Sequence, residues 1–259
     1  MRYLTFFFKT IQVQMKNSLA RPMFGFTLVV NPILTTIIIC EMFKSSGRID
    51  FGVYIILGSS LMSLWTNICF SSIGDINRER MMGTLPYLYV SLVNFNVIIV
   101  AKMIANIILS LLSVIITIMF SYLLYGVTVS IDNPLWILIS IFITIISFSI
   151  ISMFVAYTML LTRKTQLYMN LVDIPVVILS GFVFPITILP TQLQLLSNIL
   201  LPTWAVKLMR EVLTEGMSSV IYDYILVIIP MILIYLTLTL ILWKFVNYKI
   251  KRSASLEVF

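Results

Sequence analysis

The chain has no histidine. That absence removes imidazole metal ligands, Ser–His and Cys–His nucleophilic catalysis, and histidine proton relays. Charge is scarce: Asp, Glu, Lys and Arg make up 10% of 259 residues, against about 25% in soluble domains. Cysteine is nearly missing. Cys40 and Cys69 both lie in apolar runs, and the topology derived below sends them towards opposite bilayer faces, so they read as small buried hydrophobes rather than a disulfide. Glycine is sparse too, and no glycine is followed by lysine. A phosphate-cradling loop needs Gly, four residues, then Gly-Lys-Ser/Thr, so no such ATP-binding motif is present and ATP hydrolysis by this chain is not expected.

What is plentiful is apolar. Ala, Val, Ile, Leu, Met, Phe, Trp, Tyr and Cys supply 60% of the chain, and mean hydropathy is +1.07. One core cannot hide that much apolar surface behind so few polar groups. A soluble enzyme, a nucleic-acid-binding module and a disordered scaffold are excluded; the surroundings must be largely lipid. Residues 22–40, 51–74, 103–131, 133–162, 174–206 and 224–243 carry no charge, and a crossing helix needs about 20 apolar residues. The expected fold is an all-α polytopic membrane protein with six spans at 22–42, 51–73, 97–125, 135–161, 169–186 and 221–247. Residues 81–101 are also uncharged but hold Gly83, Thr84, Pro86, Ser91, Asn94 and Asn96. They read as part of a cytoplasmic connector over 74–96 that climbs into the third span.

With the N-terminus inside, thirteen of the 17 Lys and Arg residues fall on the cytoplasmic side and four (Lys44, Arg48, Lys207 and Arg210) fall outside. The positive-inside bias therefore puts both termini, including a tail over 248–259, in the cytoplasm. Residues 1–21 lack the cleavage site of a signal peptide. Wound as a helix, they gather Leu4, Phe8, Ile11, Met15 and Leu19 on one stripe and Arg2, Lys9 and Lys16 opposite. Such a helix lies in the inner membrane interface, or rests on the protein's own surface.

Three segments break the apolar monotony. Residues 74–85, after span two, carry Asp75, Arg78, Glu79 and Arg80 ahead of a Gly83-Thr84 stop. They read as a short charged helix that docks on a soluble partner, or as an ordinary solvated loop. Residues 187–218 follow Phe184-Pro185 and contain Leu189-Pro190 and Leu201-Pro202-Thr203-Trp204. With Thr191 and Thr203 as N-caps they read as two short helices forming a re-entrant outer hairpin. Pro185 and Pro190 would end the fifth span. Asp173 is the one carboxylate expected well inside a span, serving either a solvated ion pair with Arg163 or the mouth of a pathway.

On these residues the sequence resembles the membrane subunits of ATP-binding-cassette exporters, the type-2 permease class. Glu79-Arg80-Met81-Met82-Gly83-Thr84-Leu85 matches that family's motif after span two, although Pro86 and Ser91-Leu92 depart from the usual Glu and Ser-Pro. Ser180-Gly181, Phe184-Pro185, Leu189-Pro190, Leu201-Pro202-Thr203-Trp204, Arg210 and Gly216 match the motif after span five. The resemblance implies a coupling element at Arg78, Glu79, Arg80, Gly83, Thr84 and Leu85, seated on a separate cassette ATPase that binds ATP and Mg. It implies an outer gate at Phe184, Pro185, Leu189, Pro190, Pro202, Thr203, Trp204 and Arg210. It also implies two ATPase copies and a second copy of this permease or a paralogue, in a cell (plasma) membrane. This chain itself would bind no cofactor or metal, and no nucleic acid. The cargo would be a drug, antimicrobial peptide or lipid, or alternatively a lipid-linked polysaccharide. An ion-gradient-driven transporter is the rival of another class, but it usually shows several mid-membrane charges and inverted halves. Ile, Lys and Asn usage points to a bacterial source.

Overall fold

The structure is a computed structural model and describes residues 2–44, 51–91, 93–126, 133–162, 165–214, 216 and 218–253. Among the described residues there are helices and turns and no strand. The helices are α1 (Arg2–Leu19), α2 (Pro22–Gly25), α3 (Asn31–Lys44), α4 (Phe51–Met81), α5 (Leu85–Val90), α6 (Phe95–Tyr125), α7 (Pro134–Met159), α8 (Thr165–Leu179), α9 (Thr191–Ile199), α10 (Leu201–Thr214) and α11 (Val220–Ser253). A π-helical turn, Phe26–Val30, joins α2 to α3, with the Asn31 N–H donating to the Phe26 carbonyl. Pro32 follows immediately; it has no N–H to close an ordinary turn there.

Among the described residues, five helical stretches are long and apolar enough to cross a bilayer: Pro22–Phe43, Gly52–Met81, Phe95–Tyr125, Pro134–Met159 and Val220–Lys249. The sixth expected crossing differs. Helix α8 has 15 residues, about 22 Å at 1.5 Å per residue, against a hydrocarbon core of about 30 Å. It stops before either Pro185 or Pro190. The stop is Gly181, whose φ of 69° lies in the left-handed region. A Cβ there would meet Ile186 Cγ1 at 2.8 Å and the Phe184 carbonyl at 2.9 Å, so only glycine fits. The chain continues through a 3-10 turn, Ile186–Ile188. Ser180, Gly181 and Phe182 are buried, as irregular backbone at membrane depth must be.

Three other expected boundaries shift. The second span runs on as helix to Met81 rather than ending at 73, so the charged segment is its last turns and not a separate helix. The third helix starts at Phe95, where Asn94 caps it by accepting from the Asn96 N–H at 3.2 Å. The sixth continues to Ser253 rather than 247, and the rest of the expected tail lies outside the described residues.

Helix α4 is the axis of the bundle and touches α3, α6, α7, α8 and α10. It can do so because its buried faces are lined by small polar residues: Ser59, Ser60, Ser63, Asn67 and Ser71. Ser113, Thr117 and Ser121 form the matching seam on α6, and Ser140, Thr144 and Ser147 do so on α7. Small side chains bring helices close where lipid gives no hydrophobic drive to associate. Most of these hydroxyls donate to a carbonyl one turn back, as Thr117 does to Ser113 (2.9 Å) and Thr144 to Ser140 (2.7 Å). Some bonds cross between helices. The Asn67 amide donates to Ser113 Oγ at 2.9 Å, and Ser152 Oγ donates to the Ile68 carbonyl at 3.3 Å. Beneath α10, Trp65, Phe148 and Phe182 meet ring to ring at 5.4–6.2 Å, all fully buried. Leu226, Ile229, Leu233 and Ile241 on α11 face outward and form part of the lipid surface.

Candidate functional site

Polar side chains collect at the inner end of α4, on the side to which the charge bias assigns the cytoplasm. Asp75 is buried and serves as their hub. Its carboxylate accepts from Arg21 and Arg78, each at 3.1 Å, from Asn106 at 3.1 Å, and from Gln14. These donors come from α1, the α1–α2 turn, α4 itself and α6, so one carboxylate ties four stretches of chain together. Helix α1 is held there through Phe7, Ile11, Met15 and the buried Gln14 and Ser18. It therefore rests on the protein along one face while Leu4, Phe8 and Leu19 stay exposed beside the seam. One strip of α1 covers α6, as a helix resting on the protein's own surface would, and the next is exposed.

One turn further on, Glu79 accepts from Lys102 of α6 and from the Thr84 hydroxyl. Arg80 reaches the far side and donates to the carbonyls of Thr162 (2.6 Å), Met159 (3.0 Å) and Leu160 (3.1 Å). Those carbonyls lie where α7 ends, and a cation suits the negative end of a helix. Helix α4 then closes on Gly83, at φ 67°. The Gly83 N–H bonds the Arg80 carbonyl (3.1 Å) and the Thr84 N–H bonds the Glu79 carbonyl (2.9 Å), a Schellman stop. Arg78, Glu79 and Arg80 thus turn inward. Leu85 is buried at the start of α5. What faces outward is apolar: Met81, Met82, Tyr87 and Val90, the last two 79% and 83% exposed. Of the residues expected to form the coupling element, the three charged ones turn inward and Leu85 is buried, while the neighbouring apolar side chains form the exposed surface.

Towards the outer end, Phe184, Pro185, Leu189 and Pro190 lead into α9. Helix α9 begins at Thr191, but no side chain caps it. Helix α10 begins at Leu201, so Thr203 is two residues into the helix rather than its N-cap; it is fully buried and its Oγ1 has no partner. Pro202 lies in the first turn, where no N–H is needed. The hairpin is locked by the Trp204 Nε1 bond to the Asn198 carbonyl (2.8 Å) and the Gln194 amide bond to the Leu189 carbonyl (2.7 Å). Arg210 donates to the Gly181 carbonyl at 2.9 Å, so α10 pins the turn at which α8 stops.

Asp173 is half-buried and accepts from the Trp65 indole at 2.8 Å. The expected contact with Arg163 falls outside the described residues. A cavity of about 240 Å³ sits between the first, second and fifth spans, lined by Arg21, Phe24, Asn67, Ser71, Asn77 and Met169 among others. It mixes polar and apolar walls.

Asp75, Gln14, Arg21, Lys102 and Asn106 escaped the sequence reading as site residues. A faint signal existed. Gln14 lies beside Ile11 on the stripe of α1 that faces the protein, and Asn106 stands one turn from Lys102 at the start of an apolar run.

A family model described as ABC-2 type transporter matches residues 5–214 of the chain. The match takes in α1, the inner network, α5 and the outer hairpin. A comparison with curated proteins gives no match.

Proposed function

This chain belongs to the ABC-2 type transporter family, a multi-pass membrane protein and transmembrane permease subunit, and from that premise we propose that it is the export pathway of a pump driven by a separate cassette ATPase. The observation that carries the proposal is the apolar knob of Met81, Met82, Tyr87 and Val90, exposed on the basic side and braced from behind. Exposed apolar groups on a rigid mount suit a protein partner. The brace is the Glu79–Lys102 pair, the Arg80 cap on α7 and the Asp75 hub. Force on the knob would reach α7 and α6 without being lost in a flexible loop, and so bias a two-state rearrangement of rigid helices. The coupling element in this reading is centred on α5 and the Gly83 turn, with Arg78, Glu79 and Arg80 as its supports.

Two ATPase subunits and two permease chains would form the working unit in a bacterial cell membrane, both termini inside. The first, second and fifth spans would face the partner permease. The cavity of about 240 Å³ among them then becomes the inner mouth, and its mixed lining favours an amphipathic cargo such as a drug, peptide or lipid. A lipid-linked glycan is the second reading, favoured by Arg21 and Asn77 on that wall, which suit a polar head.

The test is reconstitution of the chain with its cassette ATPase in proteoliposomes. Tyr87→Asp should cut transport-coupled ATP hydrolysis by about thirtyfold, since a buried interfacial aromatic contributes about 2 kcal/mol, while insertion and Tm stay unchanged. Cargo movement by the chain without any ATPase would refute the reading.

A further inference from the structure

Buried cations of the inner half are matched. Asp75 balances Arg21 and Arg78, Glu79 balances Lys102, and three helix-end carbonyls receive Arg80. Lys207 and Arg210, one turn apart on α10, differ. Their partners are neutral: Lys207 meets Asn198 Oδ1 at 2.9 Å and the Trp204 ring at 4.1 Å. Arg210 meets the Gly181 carbonyl at 2.9 Å and the Tyr54 ring at 5.1 Å. Neither forms an ion pair among the described residues. Both are half-buried, and burial lowers the pKa of each.

The two side chains open on one cavity of about 370 Å³, lined also by Tyr54, Ser180, Thr187 and Glu211. Two buried donors at this cavity lack acceptors, Ser180 Oγ and Arg210 Nε. Ser180 is fully buried, so its hydroxyl cannot be satisfied by bulk water, and a buried unmatched donor is costly. Glu211 brings one negative charge to the wall, and its Oε1 is engaged by the Ser218 hydroxyl at 2.8 Å. The wall keeps an excess of one cation.

We propose that this outer cavity binds a phosphate group. A tetrahedral oxyanion accepts from several directions at once, matching a guanidinium edge, an ammonium and a hydroxyl that do not lie on one element. The volume lies within the about 300–1,000 Å³ of small-ligand sites, larger than a lone phosphate, so a phosphodiester with its neighbouring groups fits. The occupant is either a lipid headgroup at the outer face or a soluble phosphate. The proposal does not rest on the export reading, because binding needs neither ATP nor a partner subunit.

The experiment uses the full chain, purified in detergent and stripped of lipid, with Tm as the readout. Dioleoyl-phosphatidylglycerol, diacylglycerol (which lacks the phosphate) and inorganic phosphate are titrated separately. Wild type should be stabilised by the phosphatidylglycerol and not by diacylglycerol. Lys207→Gln and Ser180→Ala should each need about tenfold more ligand, the loss expected for one charge-assisted hydrogen bond. Ser180 Oγ has no partner to lose, so Ser180→Ala separates binding from folding. Stabilisation by inorganic phosphate, lost in the same variants, supports the site with a soluble occupant; stabilisation by the lipid alone supports it with a headgroup. Equal responses to diacylglycerol and phosphatidylglycerol, or wild-type responses in both variants, overturn the proposal.

Discussion

Asp75 shows how much one buried carboxylate can organise. It receives two guanidinium and two amide donors, and removing it leaves Arg21 and Arg78 without a counter-charge. Breaking a buried pair from one side costs about 3 kcal/mol or more. Asp75→Ala should therefore lower the Tm of the detergent-solubilised chain far more than Asp223→Ala, whose position is exposed. Gly181 makes a second case at this scale. At φ 69°, with Ile186 and Phe184 crowding the missing Cβ, Gly181→Ala should cost about 1–2 kcal/mol from the left-handed backbone alone, plus the clash. Gly83 has the same backbone sign but open space around it, so Gly83→Ala carries only the first cost. The comparison of the two Tm values isolates the crowding. Of Asp75 and its four donors, only Arg78 stood out in the sequence as a site residue. Each looks ordinary alone, and their meeting depends on helix rotations that local composition does not encode.

Elements were the most legible part. Charge spacing located the long crossings, because lipid tolerates few ions and helices must be long to span it. What escaped was where helices continue past the membrane or stop short of it. Helix α4 overruns its apolar stretch because the charges beyond residue 74 all find partners, Asp75, Glu79 and Arg80 in neighbouring segments and Arg78 on Asp75 of α4 itself, and α8 stops early because of one glycine. Pro185 and Pro190 come after the stop, while Pro175 inside α8 does not break it. The knob is a property of α4, the Gly83 turn and α5 together. Lys102→Met should loosen it by leaving Glu79 with Thr84 as its remaining side-chain partner. The expected result is reduced ATPase stimulation with intact insertion, and full stimulation would mean that the brace does not carry the coupling.

At the scale of the molecule, the surface divides into an apolar belt and two polar ends. The proposed pairing sets the first, second and fifth spans against a partner copy, and the exposed Met23, Leu34 and Ile38 on the first and Leu171 and Ile174 on the fifth leave that face available. With native Cys40 and Cys69 buried, an added cysteine gives a clean signal. Ile38→Cys should cross-link two copies in membranes, whereas Leu233→Cys on α11 should not; the reverse result would reassign the paired face. The two polar ends are built differently: the inner one is tied by matched charges, the outer one by bonds from Trp204, Gln194 and Arg210 to backbone carbonyls. Between them lies the indole of Trp65, wholly enclosed and bonded to a carboxylate on α8. Any stroke that slides α8 along α4 has to sever that bond, so the molecule carries its own optical strain gauge. With the other three tryptophans replaced by phenylalanine, a change in Trp65 emission on nucleotide addition would time the stroke directly, without a dye.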